Sequence, residues 1–108
     1  MGLTKTDLFT EEQNEIANMA KVLAHPARIA ILQYLIKSEQ CINSHLVDEL
    51  GLAQATISQH LKELKNIGLI QGNIEGKAMN YCINTENWNA FKNALGFFFE
   101  SIETKKCC

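Results

Sequence analysis

The sequence is short of nearly everything that marks a specialised chain. Its 108 residues include one proline and six glycines, which excludes a collagenous or proline-rich low-complexity polymer. Neither sign of charge dominates, since ten basic and twelve acidic residues leave a net charge of −2. Bulk positive charge is therefore no basis for gripping nucleic acid, although a local basic surface is compatible with the total. Long apolar runs are absent. The longest, Leu95 to Phe99, is interrupted by Gly96 and falls far short of the roughly 20 residues of a membrane span. The first nine residues hold no apolar segment of signal-peptide length, so a cytoplasmic protein with no membrane partner is expected. Four cysteines, Cys41, Cys82, Cys107 and Cys108, are too unevenly spaced for a disulfide scaffold. In a reducing cytosol they read first as free thiols, redox sensors or metal ligands. No phosphate loop, nucleophile–base constellation or paired carboxylates on a cleft can be found, so no enzyme is expected.

What remains is an ordinary globular composition, 46% hydrophobic and 20% charged, in one domain over residues 1–108. A lone domain of ~100 residues buries only about two thirds of its surface, so a dimer would add burial that the monomer lacks.

The patterning is mostly helical. Residues 1–9 read as an N-terminal extension. Thr10 and Gln13 form a capping box, after which Ile16, Met19, Ala20 and Leu23 recur at helical spacing. His25-Pro26 breaks this helix and opens a second, apolar over most of its circumference from Ala27 to Ile36. Cys41-Ile42 is a short extended link. Asn43 or Ser44 then caps a short third helix with Leu46, Val47 and Leu50, closed by Gly51. A fourth helix spans about Gln54 to Asn66, with Ile57, Leu61 and Leu64 as its apolar stripe and Gly68 beyond its end. Residues 44–67 thus form a helix–turn–helix. Two extended runs around Glu75-Gly76-Lys77 form a β-hairpin over 69–83. A last helix over 85–104, capped by Asn84 or Thr85, carries Trp88, Phe91, Leu95, Phe98 and Ile102 at alternating spacings of three and four. Residues 105–108 form a cysteine-bearing tail.

This order resembles the winged helix–turn–helix repressors of the ArsR/SmtB family, and the resemblance covers nearly the whole chain. The segment Ala20-Lys21-Val22-Leu23-Ala24-His25-Pro26-Ala27-Arg28-Ile29-Ala30-Ile31-Leu32 is similar to the family's "ALaxPxRlxIL". Gln54-Ala55-Thr56-Ile57-Ser58-Gln59-His60-Leu61-Lys62-Glu63-Leu64 is similar to its "sqxtvSqHLkxL" recognition helix, and Leu69-Ile70, Gly76-Lys77 and Tyr81 are similar to its wing. The fold class expected is mainly α with a small hairpin wing, in the order α-α-α-α-β-β-α. The function implied is sequence-specific repression of transcription.

The residues supply their own reading of the DNA face. With Ile57, Leu61 and Leu64 inward, Gln54, Thr56, Ser58, Gln59, His60, Lys62 and Lys65 are free for solvent or for double-stranded DNA. Such side chains pair with base edges and phosphates, and the first half of a recognition helix is the part that enters the major groove. A merely solvated helix face is the plain alternative. Lys77 at the hairpin tip touches a phosphate or is a solvated turn residue. Arg28 reaches phosphate, or serves as a structural ion pair or cap. Residues 1–50 carry four basic and seven acidic groups (−3), residues 51–82 three and two (+1), and residues 83–108 three and three (0). The segment that carries the helix–turn–helix and the hairpin is the least acidic third. So few phosphate contacts per subunit call for a dimer that doubles them.

Phe97, Phe98 and Phe99 in succession cannot all face one interior. Ile16, Trp88, Phe91, Leu95, Phe98, Phe99 and Ile102 are the candidate interface of a homodimer, the pairing of first and last helices that the resemblance also implies. A two-fold dimer calls for a palindromic operator.

The resemblance implies an inducer that acts on cysteines or histidines, yet the chain departs from the family's familiar sites. Of a C-x-C-x-x-C set at the third helix only Cys41 survives, and no histidine follows His60. Cys41, Cys107 and Cys108 remain as three sulfur donors suited to As(III) or another soft metal ion; no cofactor is required. A redox or persulfide thiol switch is the alternative, as is a winged-helix protein-interaction module without a metal site. Cys41 is otherwise a small buried apolar residue, Cys82 reads as core, and His45 is a further ligand or an exposed helix residue.

Overall fold

The fold is given by a computed structural model that describes residues 8–38, 45–75 and 78–102. The elements are α1 (Glu11–Val22), α2 (Pro26–Lys37), α3 (Leu46–Leu50), α4 (Gln54–Asn66), β1 (Ile70–Glu75), β2 (Ala78–Ile83) and α5 (Thr85–Glu100). This is the winged helix–turn–helix order expected from the sequence.

Local chemistry explains each boundary. Thr10 caps α1: its hydroxyl accepts from the Gln13 backbone N–H at 3.1 Å, and the Gln13 side chain accepts from the Thr10 N–H at 2.9 Å. The two otherwise unpaired donors satisfy each other's partners, as a capping box requires. Pro26 opens α2, where its missing N–H costs nothing. Gly51 ends α3 in the left-handed region at φ 66°, which a side chain would resist. At the end of α4 the Leu69 N–H donates to the Leu64 carbonyl and the Gly68 N–H to that of Lys65. This paired closure turns the chain out of the helix and into the wing.

Two boundaries differ from the sequence reading. The third helix begins at Leu46 with His45 in the N-cap position; the expected caps Asn43 and Ser44 lie outside the described residues. The last helix closes at Glu100 rather than 104, because Ser101 caps it and donates its hydroxyl to the Phe98 carbonyl at 2.6 Å.

The core is built from one stripe per element. Ile31, Leu32 and Leu35 of α2, Leu46 of α3 and Ile57, Leu61 and Leu64 of α4 are buried together with Leu69, Ile70, Met79 and Tyr81 of the wing and its entry. The helix–turn–helix and the wing therefore share one interior. β1 and β2 pair antiparallel, with Gly72 opposite Tyr81 and Gln71 opposite Cys82. The start of α5 is pinned to this unit. Asn84 caps it by accepting from the Asn87 N–H at 3.2 Å, and Asn87 Nδ2 donates to the Gly68 carbonyl at 3.0 Å.

α5 has no fully buried residue. Trp88 and Phe91 lean on the core and, with Leu23, Leu69 and Leu95, wall an apolar cavity of about 340 Å³ at the joint with α1. Farther along, Phe97, Phe98, Phe99 and Ile102 are 70%, 50%, 70% and 80% exposed. The Phe98 and Phe99 rings meet edge to face at 5.2 Å. Among the described residues no helix is long and apolar enough to cross a membrane.

Candidate nucleic-acid interface

α4 offers the surface that the sequence places in the DNA groove. Its inner stripe is fully buried, so the helix cannot rotate without exposing Ile57, Leu61 and Leu64. That anchoring presents Gln54, Thr56, Gln59, Lys62 and Lys65 as exposed side chains, with Ser58 half-buried beside them. Gln59 Nε2 donates to Glu63 one turn on at 3.4 Å, which aligns its amide along the helix surface. The set combines amide and hydroxyl groups for base edges with two ammonium groups for phosphate.

His60 stands apart from this set. It is half-buried, and its Nδ1 accepts a hydrogen bond from Arg28 Nε at 3.0 Å. Arg28 Nη1 also donates to the Val22 carbonyl at 3.2 Å. The His25 ring lies 5.7 Å from that of His60, tilted by 48°. Burial first, then the positive charge of Arg28 and that of His25, hold the imidazole below its ordinary pKa of 6.5. Of the two roles open to Arg28 in the sequence, the geometry favours the structural one. A signal for His60 existed: it lies three residues after Ile57 and four before Leu64, so it borders the buried stripe rather than opposing it.

Lys77 of the hairpin tip lies outside the described residues, as do Cys41, Cys107 and Cys108. Cys82 is half-buried on β2, and its sulfur is engaged in a disulfide. Among the described residues, no group of three or more histidine, cysteine, aspartate or glutamate side chains is placed to hold a metal ion. Of the interface candidates, Phe98 lines a groove of about 690 Å³ along α1 with Ile16, Ala17 and Ala20.

Comparison with known proteins matches this unit. Residues 25–71 fit the family model described as bacterial regulatory protein, arsR family. The HTH-type transcriptional regulator Rv0081 of Mycobacterium tuberculosis is 37% identical over 67 residues, which cover 62% of this chain and 59% of that protein. The chain thus spans about three fifths of that relative. The biofilm growth-associated repressor of Xylella fastidiosa is 29% identical over 97 residues, covering 90% of this chain and 83% of the repressor. The crystal structure of Rv0081 superposes with a TM-score of 0.61 at 28% identity, over 85% of this chain and 96% of the other. That of the ArsR family transcriptional regulator RHA00566 gives 0.64 at 26%, over 83% and 94%.

Proposed function

We propose that the chain is a homodimeric repressor of the arsR family that binds a palindromic operator, a reading supported by the fit of residues 25–71 to that family's model. The observation that carries the reading is the two-sided α4: a fully buried apolar stripe behind an exposed row of Gln54, Thr56, Gln59, Lys62 and Lys65. The unmatched apolar face of α5 supports the dimer. A helix with three adjacent phenylalanines at 50–70% exposure has more apolar surface than one small domain hides. A symmetric partner would place two α4 helices on successive turns of the duplex.

The test is a gel shift with the DNA upstream of the chain's own gene, against a scrambled duplex of equal length. Specific retardation that weakens with salt is expected, and Gln59→Ala should remove most of the specificity. Equal affinity for both duplexes would overturn the reading.

For the inducer, Cys41, Cys107 and Cys108 of the fully reduced chain supply three sulfur donors of the kind As(III) or a soft metal ion prefers. Arsenite is expected to release wild-type protein from DNA and to leave a Cys107→Ser/Cys108→Ser variant bound. The disulfide at Cys82 favours a second reading, thiol oxidation. There, two thiols pass two electrons and two protons to a peroxide, leaving a disulfide and water. Titrating the DNA complex with arsenite, zinc and peroxide in parallel separates the two.

A further inference from the structure

Arg28 occupies the first turn of α2 and holds two other helices at once. It donates to the carbonyl of Val22, the last residue of α1, and to Nδ1 of His60 in the middle of α4. A guanidinium has no acceptor, so the His60 nitrogen that meets it must carry the lone pair. This fixes His60 as the neutral tautomer with its proton on Nε2. The surroundings are polar and mostly cationic. α2 contributes Arg28, the residue that precedes it contributes His25, and α1 contributes Lys21. Glu63 of α4 is the acid on the adjoining cavity of about 380 Å³, which Asn18 and Asn66 also line.

We infer that the Arg28–His60 hydrogen bond is a proton-labile strut that seats the recognition helix against α1, and that protonation of His60 releases it and weakens operator binding. This rests on the reading of α4 as the DNA-reading helix. The chemistry admits only one state of the strut. A protonated His60 would turn an N–H toward the Arg28 N–H and set two cations side by side, so the bond breaks and the ring must leave its seat. Arg28 and His60 are thus positioning residues: they act on DNA through the placement of Gln54, Thr56 and Gln59. The depressed proton affinity of His60 keeps the strut closed at neutral pH and moves its opening to the acid side of 6.5.

The sign separates this from the direct role the sequence allows. A cationic His60 on a phosphate would strengthen binding as pH falls; the strut weakens it. The experiment is fluorescence anisotropy between pH 7.5 and 5.5, with the upstream duplex and a scrambled one, on the full chain and two variants. His60→Asn keeps an acceptor at the Nδ1 position without a titrating proton; His60→Ala removes the acceptor. For wild type, specific affinity should fall about tenfold across the range, as for a lost charge-assisted hydrogen bond. His60→Asn should match wild type at pH 7.5 and stay flat, and His60→Ala should be weak and flat throughout. Specific binding whose pH profile is the same in wild type and His60→Asn, or that tightens in acid, overturns the strut alone. No specific binding at any pH overturns the repressor reading and the strut with it. A readout without DNA is the side-chain nitrogen NMR spectrum. An Nε2-protonated His60 that titrates below 6.5 supports the strut, and an Nδ1-protonated ring overturns it.

Discussion

The exposed end of α5 permits a worked prediction about assembly. Phe98 is half exposed beside the groove along α1. An aromatic side chain carries about 150–250 Å², and half of the lower figure leaves about 75 Å² of Phe98 for a partner to cover. At about 25 cal/mol per Å² that is ~2 kcal/mol per subunit. In a two-fold interface every substitution acts twice, which sets an upper limit of ~4 kcal/mol per dimer for Phe98→Ala. Incomplete burial and the retained methyl group halve this to about 2 kcal/mol, or roughly a thirtyfold rise in the dimer dissociation constant. Sedimentation velocity over a dilution series measures that constant directly, and circular dichroism confirms that the variant is folded. A folded Phe98→Ala protein with an unchanged dissociation constant would refute the placement of this face in the interface. So would a wild-type chain that stays monomeric at micromolar concentration.

Three further outcomes follow from the same geometry. Gly72 sits at φ 135°, and a Cβ there would lie 1.8 Å from the Asn80 carbonyl oxygen across the hairpin; Gly72→Ala should destabilise by about 2 kcal/mol or more, and an unchanged urea midpoint would show the register to be wrong. Leu61 is fully buried at the centre of the core, so Leu61→Ala should cost about 3–5 kcal/mol in urea unfolding, a large part of what holds a domain of this size together. Folded His60 binds its proton less readily than unfolded His60, so its contribution to stability is present above pH 6.5 and is lost as pH falls through the lowered folded value. His60→Asn should flatten that dependence in urea titrations at pH 7.5 and 5.5.

The sequence foretold α4 at about Gln54 to Asn66, where the structure has it, because three apolar positions, a preceding break and a following glycine all constrain the same segment. The capping box at Thr10 and the proline at the head of α2 were legible for the same reason: each is a local signal with one local consequence. What escaped reading is what packing creates. Arg28 and His60 are 32 positions apart, and no pattern in either segment announces their meeting. Treating every polar residue of α4 as outward put His60 on the DNA side, although its spacing from Ile57 and Leu64 places it at the margin of the buried stripe. The end of α5 depended on a single serine hydroxyl, a cap too small to outweigh an apolar repeat that runs on to Ile102.

The position of Trp88 has a practical consequence. It is the only tryptophan in the chain, and it stands in the wall of the apolar cavity where α5 meets the end of α1. The protein therefore carries its own optical label at the joint between its helix–turn–helix unit and its exposed aromatic helix. Emission excited at the indole band should shift when that joint opens to water or closes on a partner. The seating of α5, and the pairing of two subunits proposed above, can then be followed in real time without attaching a dye.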